Sequence, residues 1–182
     1  MAIAVERQSE APKPEVSSFT VHRLDPQKNS LSPTVMRELA QIGRKYYPQR
    51  EQAGRQLMPD LLHPLSAVVL LGNNKRFIIG YAYAILETFD SSAVVHEIAV
   101  DPDINEVGAV ERMMTELEDE LLKRGSPTME GNFTVMNGYA DRIRRIYSGR
   151  IIETREDGHT HFLKINLKKA KKSNIIPFPV SS

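Results

Sequence analysis

The sequence predicts one mixed α/β domain whose sheet starts out antiparallel, and three observations carry that expectation. The chain has 182 residues, 41% of them hydrophobic, which suits a single core of ordinary size. Two apolar runs, LSAVVLL at 65–71 and FIIGYAYAIL at 77–86, flank a Gly72-Asn73-Asn74 turn and read as a hairpin. Farther on, Val107, Val110, Met113, Met114, Leu117 and Leu121 recur at three- and four-residue spacing, the stripe of a helix packed on one side.

Each element follows from local chemistry. Residues 1–17 are polar and carry Pro12 and Pro14, an extended arm outside the core. SFTVHRL at 18–24 alternates as a first strand. Ser32-Pro33 offers an N-cap followed by proline at the first helical position, and Val35, Leu39, Ile42 and Tyr46 continue as a helix. A shorter helix is expected around 51–62, kinked or ended by Pro59.

Residues 65–71 lack alternation, as a strand buried on both faces would. In the return strand, period-2 geometry puts Phe77, Ile79, Tyr81, Tyr83 and Ile85 on a bulky face. Ile78, Gly80, Ala82, Ala84 and Leu86 take the other, smaller one. Residues 93–100 (AVVHEIAV) form a further strand, followed by the striped helix, which Gly125 and Pro127 end. A strand at 128–135, a helix at 138–147 and a hairpin of 149–154 with 159–167 complete a β–α–α–β–β–β–α–β–α–β–β order.

Composition removes several function classes. The chain has no cysteine, hence no disulfide, thiol nucleophile or cysteine-bound zinc. No apolar run is long enough to span a membrane, and residues 1–16 lack a signal-peptide core, which fits an intracellular, cytoplasmic protein or one carried in a viral particle. Net charge is +1, but Lys168, Lys169, Lys171 and Lys172 lie in an acid-free tail at 168–182, so the body is mildly acidic. That is not the footprint of a nucleic-acid reader.

From Val100 onward the residues carry a family resemblance. Over about 18–167 the element order resembles the GNAT (N-acetyltransferase) superfamily. In that family the fourth strand runs into a loop of pattern V-x-P-x-x-[RQ]-x-x-G-x-[GA], which opens the central helix. Here residues 100–110 read VDPDINEVGAV, placing Val100, Pro102 and Gly108 in register. The resemblance implies a single α/β (α+β) GNAT-like domain with a central, largely antiparallel mixed sheet flanked by helices. It also implies acetyl-CoA held by Ile98, Ala99, Val100, Asn105, Gly108, Ala109 and Asn137. The physical basis is the anion site that unpaired N–H groups make at a helix start.

Two positions of this loop depart from the family pattern, and its charge is unfavourable. Asn105 stands at the Arg/Gln place. Val110 stands at the second Gly/Ala place, where a β-branched side chain is expected to crowd a phosphate. Asp101, Asp103, Glu106 and Glu111 gather around the same helix start with Arg112 as the nearby base, and they compete with a phosphate for its field.

For catalysis, the family's fourth-strand glutamate corresponds to Glu97, the candidate base. His96, its neighbour, is expected on the opposite face. The family's N-x-x-A-x-x-x-Y motif matches at Asn137 and Ala140, but Arg144 holds the tyrosine position, leaving Tyr147 as the candidate acid. His159 and His161 share a strand face without a third metal ligand, and no metal site is expected. Arg142, Arg144, Arg145 and Arg150 form a basic cluster suited to a phosphate, an acidic partner or the acidic central helix.

Two functions follow. The departures favour a GNAT-like scaffold, a non-catalytic structural or assembly subunit of a larger complex such as a virion. Its arms at 1–17 and 168–182 would contact protein partners or further copies of the chain. The alternative is an acetyl-CoA-dependent N-acetyltransferase acting on a primary amine by direct transfer.

Overall fold

The computed structural model describes residues 20–24, 31–46, 57, 59–73, 78–87, 91–103, 108–134 and 138–167. Both expected arms lie outside them. The elements are β1 (Thr20–Leu24), α1 (Pro33–Tyr46), β2 (Ser66–Gly72), β3 (Ile78–Leu86), β4 (Ser92–Val100), α2 (Ala109–Lys123), β5 (Thr128–Thr134), α3 (Tyr139–Ile146), β6 (Ile151–Asp157) and β7 (Thr160–Asn166). Seven strands make one sheet in the order β1-β2-β3-β4-β5-β7-β6. Every pairing is antiparallel except β4 with β5, which α2 connects as a crossover. This is the mixed, largely antiparallel sheet flanked by helices that the sequence predicts.

α1 begins where Ser32-Pro33 places it, and Ser32 Oγ accepts from the Val35 N–H at 3.3 Å, an N-cap bond. Of the second expected helix only 57 and 59–61 are described, and they are helical; residue 58, next to Pro59, lies outside the described residues. Every residue of β2 is buried, which explains its lack of alternation: Val69 and Leu71 face α2, whereas Val68 and Leu70 face α1.

Two cores result. Beneath α2 and α3, Met113, Met114, Leu117, Leu121 and Ile143 pack against Val69, Leu71, Val95, Leu163 and Ile165. Beneath α1, Leu39, Ile42 and Leu61 pack against Val68, Leu70, Tyr81 and Tyr83. Burial of each aliphatic side chain contributes roughly 1.5–3 kcal/mol before ordering entropy is subtracted. Among the described residues no helix is long and apolar enough to cross a membrane.

Two β-bulges overturn face assignments made by strict alternation. Leu71 pairs with Gly80 and Gly72 with Ile78, so Ile79 is an extra residue. It turns into the α2-side core, away from Tyr81 and Tyr83. Likewise Tyr83 pairs with Glu97 and Ala84 with Val95, leaving His96 unmatched in β4. His96 then stacks on Tyr83, with ring centroids 5.7 Å apart and planes 6° apart. Glu97 and His96 therefore share the α1 side instead of dividing between two faces.

Candidate functional site

β4 and β5 pair only from Ser92↔Thr128 to Val95↔Gly131. Beyond Val95, at the His96 bulge, the two strands part. A cleft of about 280 Å³ opens between them, lined by His96, Glu97 and Ile98, by Asn132, Phe133 and Thr134, by Tyr139 and by the β6–β7 turn residues His159 and Thr160. Its chemistry comes from groups that a regular strand pair would have hidden.

The edge of β4 that faces the gap has lost its strand partner. The Val100 N–H donates instead to the Tyr139 hydroxyl at 3.3 Å. Because alternate residues of a strand direct their N–H groups to the same edge, the Ile98 amide points into the gap and the Ala99 amide toward β3. Glu97 is half-buried, and the Tyr81 hydroxyl donates to its Oε1 at 2.6 Å. Tyr83, on which the exposed His96 ring stacks, donates its hydroxyl to Asp60 Oδ2 at 3.3 Å.

The start of α2 lies at the far end of β4. Gly108, with φ +86°, takes the left-handed conformation that glycine adopts without strain, and no side chain among the described residues caps the helix. Ala109 and Val110 are both buried. The Val110 side chain enters the α2-side core, so it does not crowd the helix start as expected. Two of the nearby acids are paired by a residue remote in sequence, Lys45 Nζ lying 2.7 Å from Asp101 Oδ1 and 2.6 Å from Asp103 Oδ2. These hydrogen bonds raise the Lys45 pKa and hold it cationic. Glu111, by contrast, keeps a buried carboxylate oxygen without a hydrogen-bond partner among the described residues. Arg112, the base expected to serve this site, pairs with Glu116 at 2.8 Å. Asn105, Glu106 and Asn137 lie outside the described residues.

Tyr147 is not in the cleft. It is fully buried against α2, its hydroxyl donates to the Met114 carbonyl at 3.2 Å, and the Arg150 guanidinium lies 4.7 Å above its ring. Burial, with the Glu118 carboxylate adding to it, pushes the phenol far above its ordinary value. It is a core residue without access to a substrate. Arg144, at the family's tyrosine position, pairs with Glu156 at 2.6 Å on the surface.

Of the basic cluster, Arg150 binds Glu118 of α2 through both carboxylate oxygens, so it answers the acidic helix. His159 rims the cleft, whereas His161 lies in β7 opposite Phe133. Among the described residues, no group of three or more His, Asp or Glu is arranged to hold a metal.

Sequence reasoning missed Tyr139, Tyr81 and Lys45. Tyr139 immediately precedes Ala140 of the family motif, five residues ahead of the position the motif reserves for tyrosine. Tyr81 was visible as a bulky strand residue, but its link to Glu97 depends on the bulge. Lys45 meets Asp101 across 56 residues of sequence, beyond any local pattern.

No protein-family model and no curated protein matches the chain. Solved structures do. An aminoglycoside 6'-N-acetyltransferase from Enterococcus faecium aligns over 83% of this chain and 98% of its own, with a TM-score of 0.61 at 11% identity. A GNAT-family acetyltransferase from Staphylococcus aureus aligns over 82% and 100%, with a TM-score of 0.58 at 12% identity. An aminoglycoside 6'-N-acetyltransferase complexed with coenzyme A aligns over 83% and 98%, with a TM-score of 0.61 at 12% identity. The fold is that of the GNAT acetyltransferases.

Proposed function

We propose that the protein is an acetyl-CoA-dependent N-acetyltransferase acting on a primary amine by direct transfer. The observation that carries this reading is the parted β4–β5 cleft, with Glu97 and the β4 edge released from β5 on one wall and Asn132, Phe133 and Thr134 of β5 on the other. A protein kept only as a scaffold has no need to leave strand edges and a carboxylate facing a gap.

The residues present fit the cofactor. The Gly108 start of α2 has no side-chain cap among the described residues, Val110 is turned into the core, and Lys45 offsets Asp101 and Asp103. The Val110 departure and part of the acid cluster thus have local structural explanations that leave the site open. The cofactor would be held by backbone groups of Ile98, Ala99 and Val100 and by the helix start at Gly108 and Ala109. Asn105 and Asn137 are further candidates by position in the motif.

Acetyl-CoA, when bound, supplies a thioester whose carbonyl an amine attacks. Glu97 accepts the proton that the amine loses, at a carboxylate oxygen directly or through one water. Tyr139 holds a proton at its hydroxyl against the open edge of β4, a position suited to protonating a departing thiolate. Ile98 and Phe133 supply apolar wall to the cleft.

Two measurements test the reading together. Calorimetric titration with acetyl-CoA is expected to give saturable micromolar binding, and acetyl transfer to a panel of primary amines is expected in the parent protein. The Glu97→Gln variant should bind the cofactor normally and lose about 10²-fold or more in kcat. No binding at millimolar acetyl-CoA would refute the assignment.

A further inference from the structure

We infer that Tyr81 is a positioning residue for the Glu97 carboxylate, and that Gly43 of α1 keeps the space the Tyr81 hydroxyl needs. The inference deepens the acetyltransferase reading and rests on it. Tyr81 is fully buried under α1, among Leu39, Ile42 and Val68, yet its hydroxyl emerges from that apolar layer to donate to Glu97 Oε1 at 2.6 Å. The His96 bulge makes this contact. It sets Glu97 opposite Tyr83 and diagonal to Tyr81, which pairs with Ala99.

A glutamate at a cleft wall has several rotatable bonds and samples several orientations. A hydrogen bond from a rigid, buried phenol fixes one oxygen and with it the plane of the carboxylate. It also favours the charged form, the one that accepts a proton. Gly43 fits the same arrangement. Glycine within a helix is unfavourable relative to alanine, but a Cβ at this position would lie 3.3 Å from the Tyr81 hydroxyl oxygen. The exchange makes sense if the hydroxyl has to stand where it does.

The test compares the full-length parent with Tyr81→Phe, Gly43→Ala and Glu97→Gln. Tyr81→Phe keeps the ring and the packing and removes only the donor. The Glu97 carboxyl resonance, assigned in ¹³C-glutamate-labelled protein by its absence in Glu97→Gln, should titrate at higher pH in Tyr81→Phe. The acidic limb of the kcat profile should move with it, and kcat at neutral pH should fall about tenfold with the acetyl-CoA KM unchanged. Gly43→Ala should lower kcat by a smaller factor while Tm stays level or rises, a combination that a purely structural role does not produce.

An unchanged Glu97 titration in Tyr81→Phe, beside a Glu97→Gln protein that has lost turnover, would overturn the inference alone. Parental turnover in Glu97→Gln, or no transfer by the parent, would overturn the enzymatic reading and this inference with it. Parental kcat in Gly43→Ala would remove Gly43 from the assignment.

Discussion

The same central strands present two faces built from different materials. Toward α2 and α3 they turn valine, alanine, isoleucine and leucine onto methionines and leucines, with Tyr147 enclosed and its hydroxyl spent on a backbone carbonyl. Toward α1 they turn Tyr81 and Tyr83, whose hydroxyls reach the carboxylates of Glu97 and Asp60. One face is sealed and holds the fold together; the other is wired with polar groups that end at a cleft. The two bulges allot residues between them, sending Ile79 to the sealed face and His96 to the wired one. A tyrosine's role in this protein therefore depends on what its hydroxyl reaches: Tyr139 packs in the same layer as Tyr147 yet lines the cleft.

If the sealed face carries stability, removing mass from it should do the most damage. Leu121→Ala empties a fully buried site and should cost about 2–5 kcal/mol in denaturant unfolding, with kcat unchanged for the protein that remains folded. A loss below about 1 kcal/mol would mean that the layer repacks freely, and the contrast would weaken. Next comes Tyr139, which lines the cleft. Tyr139→Phe should lower kcat about 10²-fold at neutral pH and leave cofactor affinity within a small factor. Full activity would take the acid role from it.

Tyr147→Phe sharpens the contrast from the other side. Losing its hydrogen bond to the Met114 carbonyl should cost about 1 kcal/mol of stability and nothing in acetyl transfer. A large drop in kcat there would break the division of labour. The smallest effect belongs to the exposed Arg144–Glu156 pair. The Arg144 hydrogen bond holds Glu156 below its ordinary value of 4.5. A depressed carboxylate stabilises the fold above its unfolded pKa, and that contribution is lost as pH falls through the folded one. Tm should accordingly fall slightly less steeply in acid for Arg144→Ala than for the parent.

Much of the fold was legible because its signals are local. The Ser32-Pro33 helix start, the unalternating run of β2 and the stripe of α2 each depend on a few neighbouring residues, and each lies where the sequence places it. The site was legible in outline, since the element order points to the β4 region and Glu97 lines the cleft found there. Its details were hidden for a physical reason. A bulge is one extra residue with no compositional mark, so alternation sends His96 and Ile79 to the wrong faces. Lys45 neutralises Asp101 and Asp103 only after α1 folds against β4, and a count of nearby charges overstates the negative field. Val110 belongs to the apolar stripe as well as to the loop motif, and burial in the stripe decided its direction.

The position of β7 bears on the order in which the protein can be made. It is the last of the described strands in sequence, yet it lies between β5 and β6, and β5 has only a four-residue parallel pairing on its other side. As the chain leaves the ribosome, β1 to β4 can close antiparallel pairs with neighbours already synthesised. β5 and β6 must wait for residues 160–166 before either is held along its length. During translation the β5–β6 segment is therefore an exposed, unfinished edge, and a pause there would prolong the interval in which a chaperone or another nascent chain can pair with it.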